Sequence, residues 1–99
     1  MPRISVFYGI SIWMYWNEGA HATPHFHARY AGQTASIDLT GELIAGALPR
    51  RALALAAEWA ALHPDELLAN WERARRDELA ANWDRARNEA PLEPVDPLP

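Results

Sequence analysis

The feature that most constrains the fold is a change of hydrophobic period near Leu48. Before it, short runs rich in β-branched and aromatic residues alternate apolar and polar positions, the period-two pattern of strands. After it, apolar residues recur at three- and four-residue spacing, the pattern of a helix packed along one stripe. Ninety-nine residues leave room for one domain with one core. A strand-rich first half followed by a helical second half predicts an α+β architecture: a small antiparallel β-meander packed against a long or kinked C-terminal helical segment, then an extended Pro-rich tail. The expected division is a β-sheet part over residues 1–47, a helical part over 48–88 and a tail over 89–99.

Ile4 to Tyr8 and Ile10 to Trp16 read as strands divided at Gly9 by a tight turn or bulge. In the second run Ile10, Ile12, Met14 and Trp16 share one face, and Ser11, Trp13 and Tyr15 the other. Both faces carry large apolar groups, which places this strand inside a sheet or beneath a helix, with Trp13 and Trp16 expected in the core or at a pocket rim. Asn17 to Thr23 is loop-like. Pro24 opens a strand that runs to Tyr30, a position where its missing N–H costs nothing. Ala31-Gly32-Gln33 is a turn, and Thr34 to Leu39 alternates with Ala35, Ile37 and Leu39 inward. Thr40-Gly41 turns the chain again, and Glu42 to Gly46 is a further short strand.

Pro49 suits the first position of a helix. Leu48, Ala52, Leu55, Trp59 and Leu62 form its expected inward stripe. Pro64 breaks or kinks that helix at His63, and with Asp65 and Glu66 it also makes a good start for a second helical segment. His63 reads as a capping or packing residue. The second segment contains a tandem repeat. Residues 65–76 and 77–88 are identical at nine of twelve positions. A twelve-residue shift rotates equivalent positions by about 120° around a helix. Trp71 and Trp83 therefore cannot share one face of a straight helix. One copy is expected on the sheet and the other beyond the core, and deleting Asp77 to Asn88 should leave a folded domain. The tail, either loose or a strap, follows.

The residues able to do chemistry concentrate in Pro24-His25-Phe26-His27-Ala28-Arg29-Tyr30. On a strand, His25, His27 and Arg29 share one face, while Phe26, Ala28 and Tyr30 share the other. His21 stands upstream in the loop. Three uses follow from that grouping. His25 and His27 are a plausible two-ligand pair for zinc or another divalent transition metal, completed by His21 or Glu18. Alternatively, two imidazoles beside Arg29 meet the needs of metal-free acid–base cleavage of a phosphodiester such as RNA. The difficulty is that Tyr30 points to the other face. Or the His/Arg face, with His21, Tyr30, Arg50 and an exposed Trp83, binds a partner without catalysis. The plain alternative is structural: a histidine at a strand start bonds backbone, or a carboxylate such as Asp38 on the next strand. Arg50 and Arg51 oppose the helix dipole, and read as a solvated edge or as holders of an anion near the histidines. The later arginines are interleaved with acids and read as a solvated helix face.

Composition excludes other classes. The absence of cysteine removes disulfides, thiolate metal sites and a Cys nucleophile. A net charge of −4 argues against duplex DNA or anionic lipid as a dominant partner. No apolar run approaches the ~20 residues of a membrane helix, and no signal peptide is visible, so a cytoplasmic location is expected.

The chain resembles a bacterial family, the domain of unknown function 4160. The likeness is carried by Met1-Pro2-Arg3-Ile4, Phe7-Tyr8-Gly9-Ile10, His21, Pro24-His25-Phe26-His27 and Tyr30. It continues through Gly46-Ala47-Leu48-Pro49-Arg50, Glu58-Trp59, His63, Glu66-Leu67 and Asn70-Trp71, then the tail from Pro94 to Leu98. Thr23 stands where the family commonly has a second Pro, and the duplication separates helix from tail. The family carries no established reaction. The resemblance implies a short cytoplasmic protein encoded beside another small protein, as one component of a toxin–antitoxin-like module.

Overall fold

A computed structural model describes residues 3–14, 23–81 and 93–99, with side chains to residue 75 in the last helix. Five strands precede two helices: β1 (Arg3–Phe7), β2 (Ile10–Trp13), β3 (His25–Tyr30), β4 (Gln33–Asp38), β5 (Leu43–Gly46), α1 (Arg50–Leu62) and α2 (Pro64–Ala81). The strands form one antiparallel sheet in sequence order. The α+β fold expected from the change of period is what the chain adopts.

Tight turns set the register. β1 and β2 join through Tyr8 and Gly9, and β3 and β4 through Ala31 and Gly32, all four at positive φ. Two consecutive residues with φ > 0 match the twist of a hairpin. The second turn pairs Tyr30 with Gln33, and counting back pairs His27 with Ser36 and His25 with Asp38. Asp38 closes the next turn. Its Oδ1 accepts the backbone N–H groups of Thr40 and Glu42 at 2.9 and 3.0 Å, and the Thr40 hydroxyl at 2.6 Å.

The inward face of the sheet carries Ile10, Ile12, Met14, Phe26, Ala28, Ala35 and Ile37, all buried. Trp59 of α1 is fully buried over that face. Its ring lies 5.4 Å from both Phe7 and Phe26. Alanines at 52, 56 and 60 complete the buried stripe of α1 and let its backbone approach the sheet. This differs from the expected stripe in two places: Leu55 is only partly buried and Leu62 is 55% exposed. The helix is turned so that Trp59 points straight at the two phenylalanines. α1 also begins at Arg50, with Pro49 at the position just before it. It ends at Leu62, with His63 as its C-cap before the proline at 64. Trp13 departs from expectation too, since it is half-buried on the outward face.

α2 buries Leu67, Asn70, Trp71 and Ala74, so the first copy of the repeat packs against the core. Trp16 and Trp83 lie outside the described residues. Residues 93–99 form a strap. The Val95 N–H donates to the Ile4 carbonyl at 2.8 Å, the Trp59 indole N–H donates to the Asp96 carbonyl at 2.8 Å, and the Tyr8 hydroxyl donates to the Pro99 carbonyl at 2.6 Å. Val95 and Leu98 are buried. The strap runs along the β1 edge of the sheet, while β5, exposed at every residue, forms the other edge. No described helix is long and apolar enough to cross a membrane.

Candidate functional site

β3 is the third of five strands, so its side chains have neighbours on both sides. Phe26 and Ala28 point into the core and are buried. His25, His27 and Arg29 alternate with them and are half-buried on the outward face. The register fixes what lies beside each. Arg29 stands across from Ser11 of β2 and Thr34 of β4, and His27 stands between Trp13 and Ser36.

Those neighbours engage. The Arg29 guanidinium lies 4.5 Å from the centroid of the Trp13 ring, a cation–π contact that holds the fork in place. The Trp13 indole N–H donates to the Ser11 hydroxyl at 2.8 Å, which fixes the ring under the arginine. Ser36 Oγ and His27 Nδ1 are 3.3 Å apart. The rings of His25 and His27 are 5.1 Å apart at 74°, and the His25 ring lies 5.1 Å from Trp71 of α2. α2 thus walls the His25 end of the row.

His25 Nδ1 lies 2.9 Å from the Thr23 carbonyl oxygen. A carbonyl only accepts, so Nδ1 carries the proton and Nε2 is the unprotonated nitrogen of the neutral ring. The bond is therefore to backbone; the Asp38 carboxylate, although opposite in register, is turned into its own Thr40 and Glu42 bonds. Those bonds, the Thr40 hydroxyl first, hold the Asp38 carboxyl below its ordinary value. His27 is pushed below the ordinary histidine value, first by burial and then by the neighbouring His25 and Arg29 charges. Its neutral form is favoured at pH 7.

The remaining residues singled out by sequence lie elsewhere. Tyr30 points to the core side. There Tyr8, Ile10, Tyr30, Pro49, Arg51, Ala52 and Leu55 line a slot of about 190 Å³. Arg50 is exposed at the first residue of α1, in the helical layer. Arg51 lines the slot at the opposite end of β3 from His25, so the start of α1 is not beside the histidines. His63 packs 5.7 Å from Trp59 and bonds Glu66 at 2.8 Å, a packing and capping role. His21 and Glu18 lie outside the described residues. Among the described residues no third His, Asp or Glu joins His25 and His27 in a metal-ligand cluster. Sequence reading did not pick out Ser11, Trp13, Ser36 and Trp71 as the surroundings of the row. Counting across the Ala31-Gly32 hairpin would have found Ser36.

Comparison with known families bears on what this face belongs to. The family described as "Domain of unknown function (DUF4160)" matches residues 9–72, well over half the chain. The chain belongs to the DUF4160 family. The matched stretch contains all of β3 and both helix starts, so the His25/His27/Arg29 row and the Trp71 wall sit inside the DUF4160 region. The strap and the second repeat copy lie beyond it. No curated protein and no solved structure matches the chain.

Proposed function

We propose that this DUF4160 protein is one component of a bacterial toxin–antitoxin-like module, and that it acts through the outward sheet face bearing His25, His27 and Arg29. The observation that carries the reading is the row itself: two imidazoles and a Trp-stacked guanidinium, half-buried side by side, on the face of the sheet turned away from α1. Tryptophan and arginine held in fixed geometry are the side chains that dominate protein interfaces. The expected partner is a small protein encoded nearby, and the expected location is the cytoplasm.

A second reading has its own support. The neutral form of His27 is favoured beside His25 and Arg29, the arrangement a phosphodiester-cleaving enzyme needs, with RNA as the natural substrate. A metal-binding hydrolase is the variant of that reading. The Thr23 carbonyl on His25 Nδ1 leaves Nε2 to face a metal, as a ligating histidine is usually held. Metal analysis of protein purified without a His tag separates the variants, and less than about a tenth of an equivalent of zinc or another divalent metal would remove the metal one.

The test of the main proposal is bacterial growth. The protein is induced alone and together with the neighbour-encoded small protein, beside His25→Ala/His27→Ala at matched soluble level. Growth arrest by the wild type and not by the variant assigns the toxin role. Relief of the neighbour's arrest by the wild type and not by the variant assigns the antitoxin role. Identical growth for wild type and variant in every combination overturns the proposal.

A further inference from the structure

The core side of the sheet holds a cavity that the outward row does not use. The slot beside Tyr30 has a volume of about 190 Å³. Ile10 and Ala52, both buried, and Leu55 give it an apolar base. The rings of Tyr8 and Tyr30 line it as well, and Arg51, exposed in the first turn of α1, is the charged group on its lining. One hairpin places both rings. Tyr8 sits at φ 51°, in the left-handed region, where a bulky side chain is out of place and Asn or Gly serves a hairpin turn better. The turn therefore carries an aromatic ring against its own backbone preference, and strain of that kind gathers at functional sites. The Tyr8 hydroxyl donates to the Pro99 carbonyl at 2.6 Å, which holds the ring at its far end. Tyr30 packs over the same turn, with its Cε1 3.4 Å from where a Gly9 Cβ would stand.

The polar groups of the slot are left without partners. Among the described residues neither the Arg51 guanidinium nor the Tyr30 hydroxyl makes a hydrogen bond, and Arg51 makes no ion pair. No described carboxylate lies on the lining. The first turn of α1 contains no acid, and Pro49 supplies no capping side chain. A guanidinium beside a helix N-terminus is unfavourable by itself, and an anion in the slot relieves it.

We propose that this slot binds a small aromatic carboxylate, with its ring against Tyr8, Tyr30 and the apolar base, and its carboxylate on the Arg51 guanidinium and the Tyr30 hydroxyl. Size selects the class. A closed apolar cavity of about 150 Å³ takes benzene, so this slot has room for one ring and one small charged group. Aromatic walls over an aliphatic base favour a flat, apolar body. A guanidinium holds a carboxylate through two parallel N–H donors, and a tyrosine hydroxyl adds a third. The site lies on the opposite face of the sheet from His25, His27 and Arg29, so it stands independently of the function proposed for that row.

The experiment titrates benzoate, benzamide and acetate into the isotope-labelled full chain and follows its backbone N–H resonances. Benzoate is expected to shift Gly9, Ile10, Tyr30 and Ala52 saturably, with a Kd below ~10 mM, and to leave His27 and Ser36 in place. Benzamide has the same shape without the charge, and acetate the charge without the ring. Each is expected to bind at least ~10-fold more weakly than benzoate. Arg51→Gln changes an exposed side chain and leaves the core untouched. It is expected to weaken benzoate by at least ~10-fold and to leave benzamide as it was. Tyr30→Phe keeps the ring and is expected to weaken benzoate by about 3-fold. No saturable shift with benzoate overturns the proposal. Equal binding of benzoate and benzamide overturns it too, as does benzoate binding unchanged in Arg51→Gln, because the slot would then not read the charge. Shifts centred on His27 and Ser36 would place the acid on the outward row and overturn it as well.

Discussion

His27 is where single residues matter most. It is half-buried between Trp13 and Ser36, and its pKa is lowered by burial and by the His25 and Arg29 charges. The unfolded chain then binds a proton that the folded chain resists. Stability from this group is fully present above the unfolded value near 6.5, and it is lost as pH falls from there through the lower folded value. His27→Gln should flatten that acid-side slope, which urea melts at a series of pH values between about 7 and 5 would show; an unchanged slope would place the titration elsewhere. Asp38 behaves with the opposite residue type. Its folded value is depressed, so its contribution is present above the ordinary carboxylate range and lost as pH falls through the folded value. Asp38→Ala should cost about 1 kcal/mol at neutral pH through the lost Thr40 and Glu42 bonds, measured by chemical denaturation. The alternation of His25, His27 and Arg29 was legible in the sequence because a strand has only two faces. The Trp13–Arg29 stack was not, because it depends on the β2–β3 register, and the loop between those strands carries no turn motif that fixes it.

Among the elements, β5 is the short strand its residues imply, whereas α1 buries a different stripe from the expected one. β5 pairs with β4 through an irregular step between Ser36 and Ile37. Gly46 ends it at φ +81°, where an added Cβ would collide with the Thr34 carbonyl oxygen. Gly46→Ala should therefore destabilise by more than about 2 kcal/mol, through both the backbone conformation and the clash. Thermal melting checks this, and a neutral substitution would mean that β5 can leave the sheet edge. In α1 the expected stripe of Leu48, Ala52, Leu55, Trp59 and Leu62 gives way to Ala52, Ala56, Trp59 and Ala60. The alanine stripe is buried because Trp59 has two aromatic partners and an acceptor waiting, Phe7, Phe26 and the Asp96 carbonyl. None of those lies near it in sequence. The hairpins were readable for the opposite reason: Gly9 and Gly32 set them locally.

At the scale of the whole molecule, one face of the sheet builds the core and the other carries the half-buried His/Arg row. α1 and the strap gather on the core side and the β1 edge, and the His/Arg row stands on the outward face, where Trp71 of α2 meets His25. The strap's role was open in the sequence, which reads equally as a loose end, since proline-rich composition says nothing about where its few polar contacts will land. Removing residues 94–99 exposes the sites of Val95 and Leu98 and takes the acceptor from Trp59. The expected loss is on the order of 3–5 kcal/mol. Stabilising contacts lie on one side and, as proposed, the acting residues on the other, a separation that binding tests most directly. The measurement is the affinity of the proposed partner, a small protein encoded nearby, for the wild type, for His25→Ala/His27→Ala/Arg29→Ala and for Arg51→Ala on the core side, by titration calorimetry on folded samples. At least a ~10-fold loss, about 1.4 kcal/mol, is expected for the outward-face variant and no change for Arg51→Ala. Equal binding by the wild type and the outward-face variant would contradict that separation.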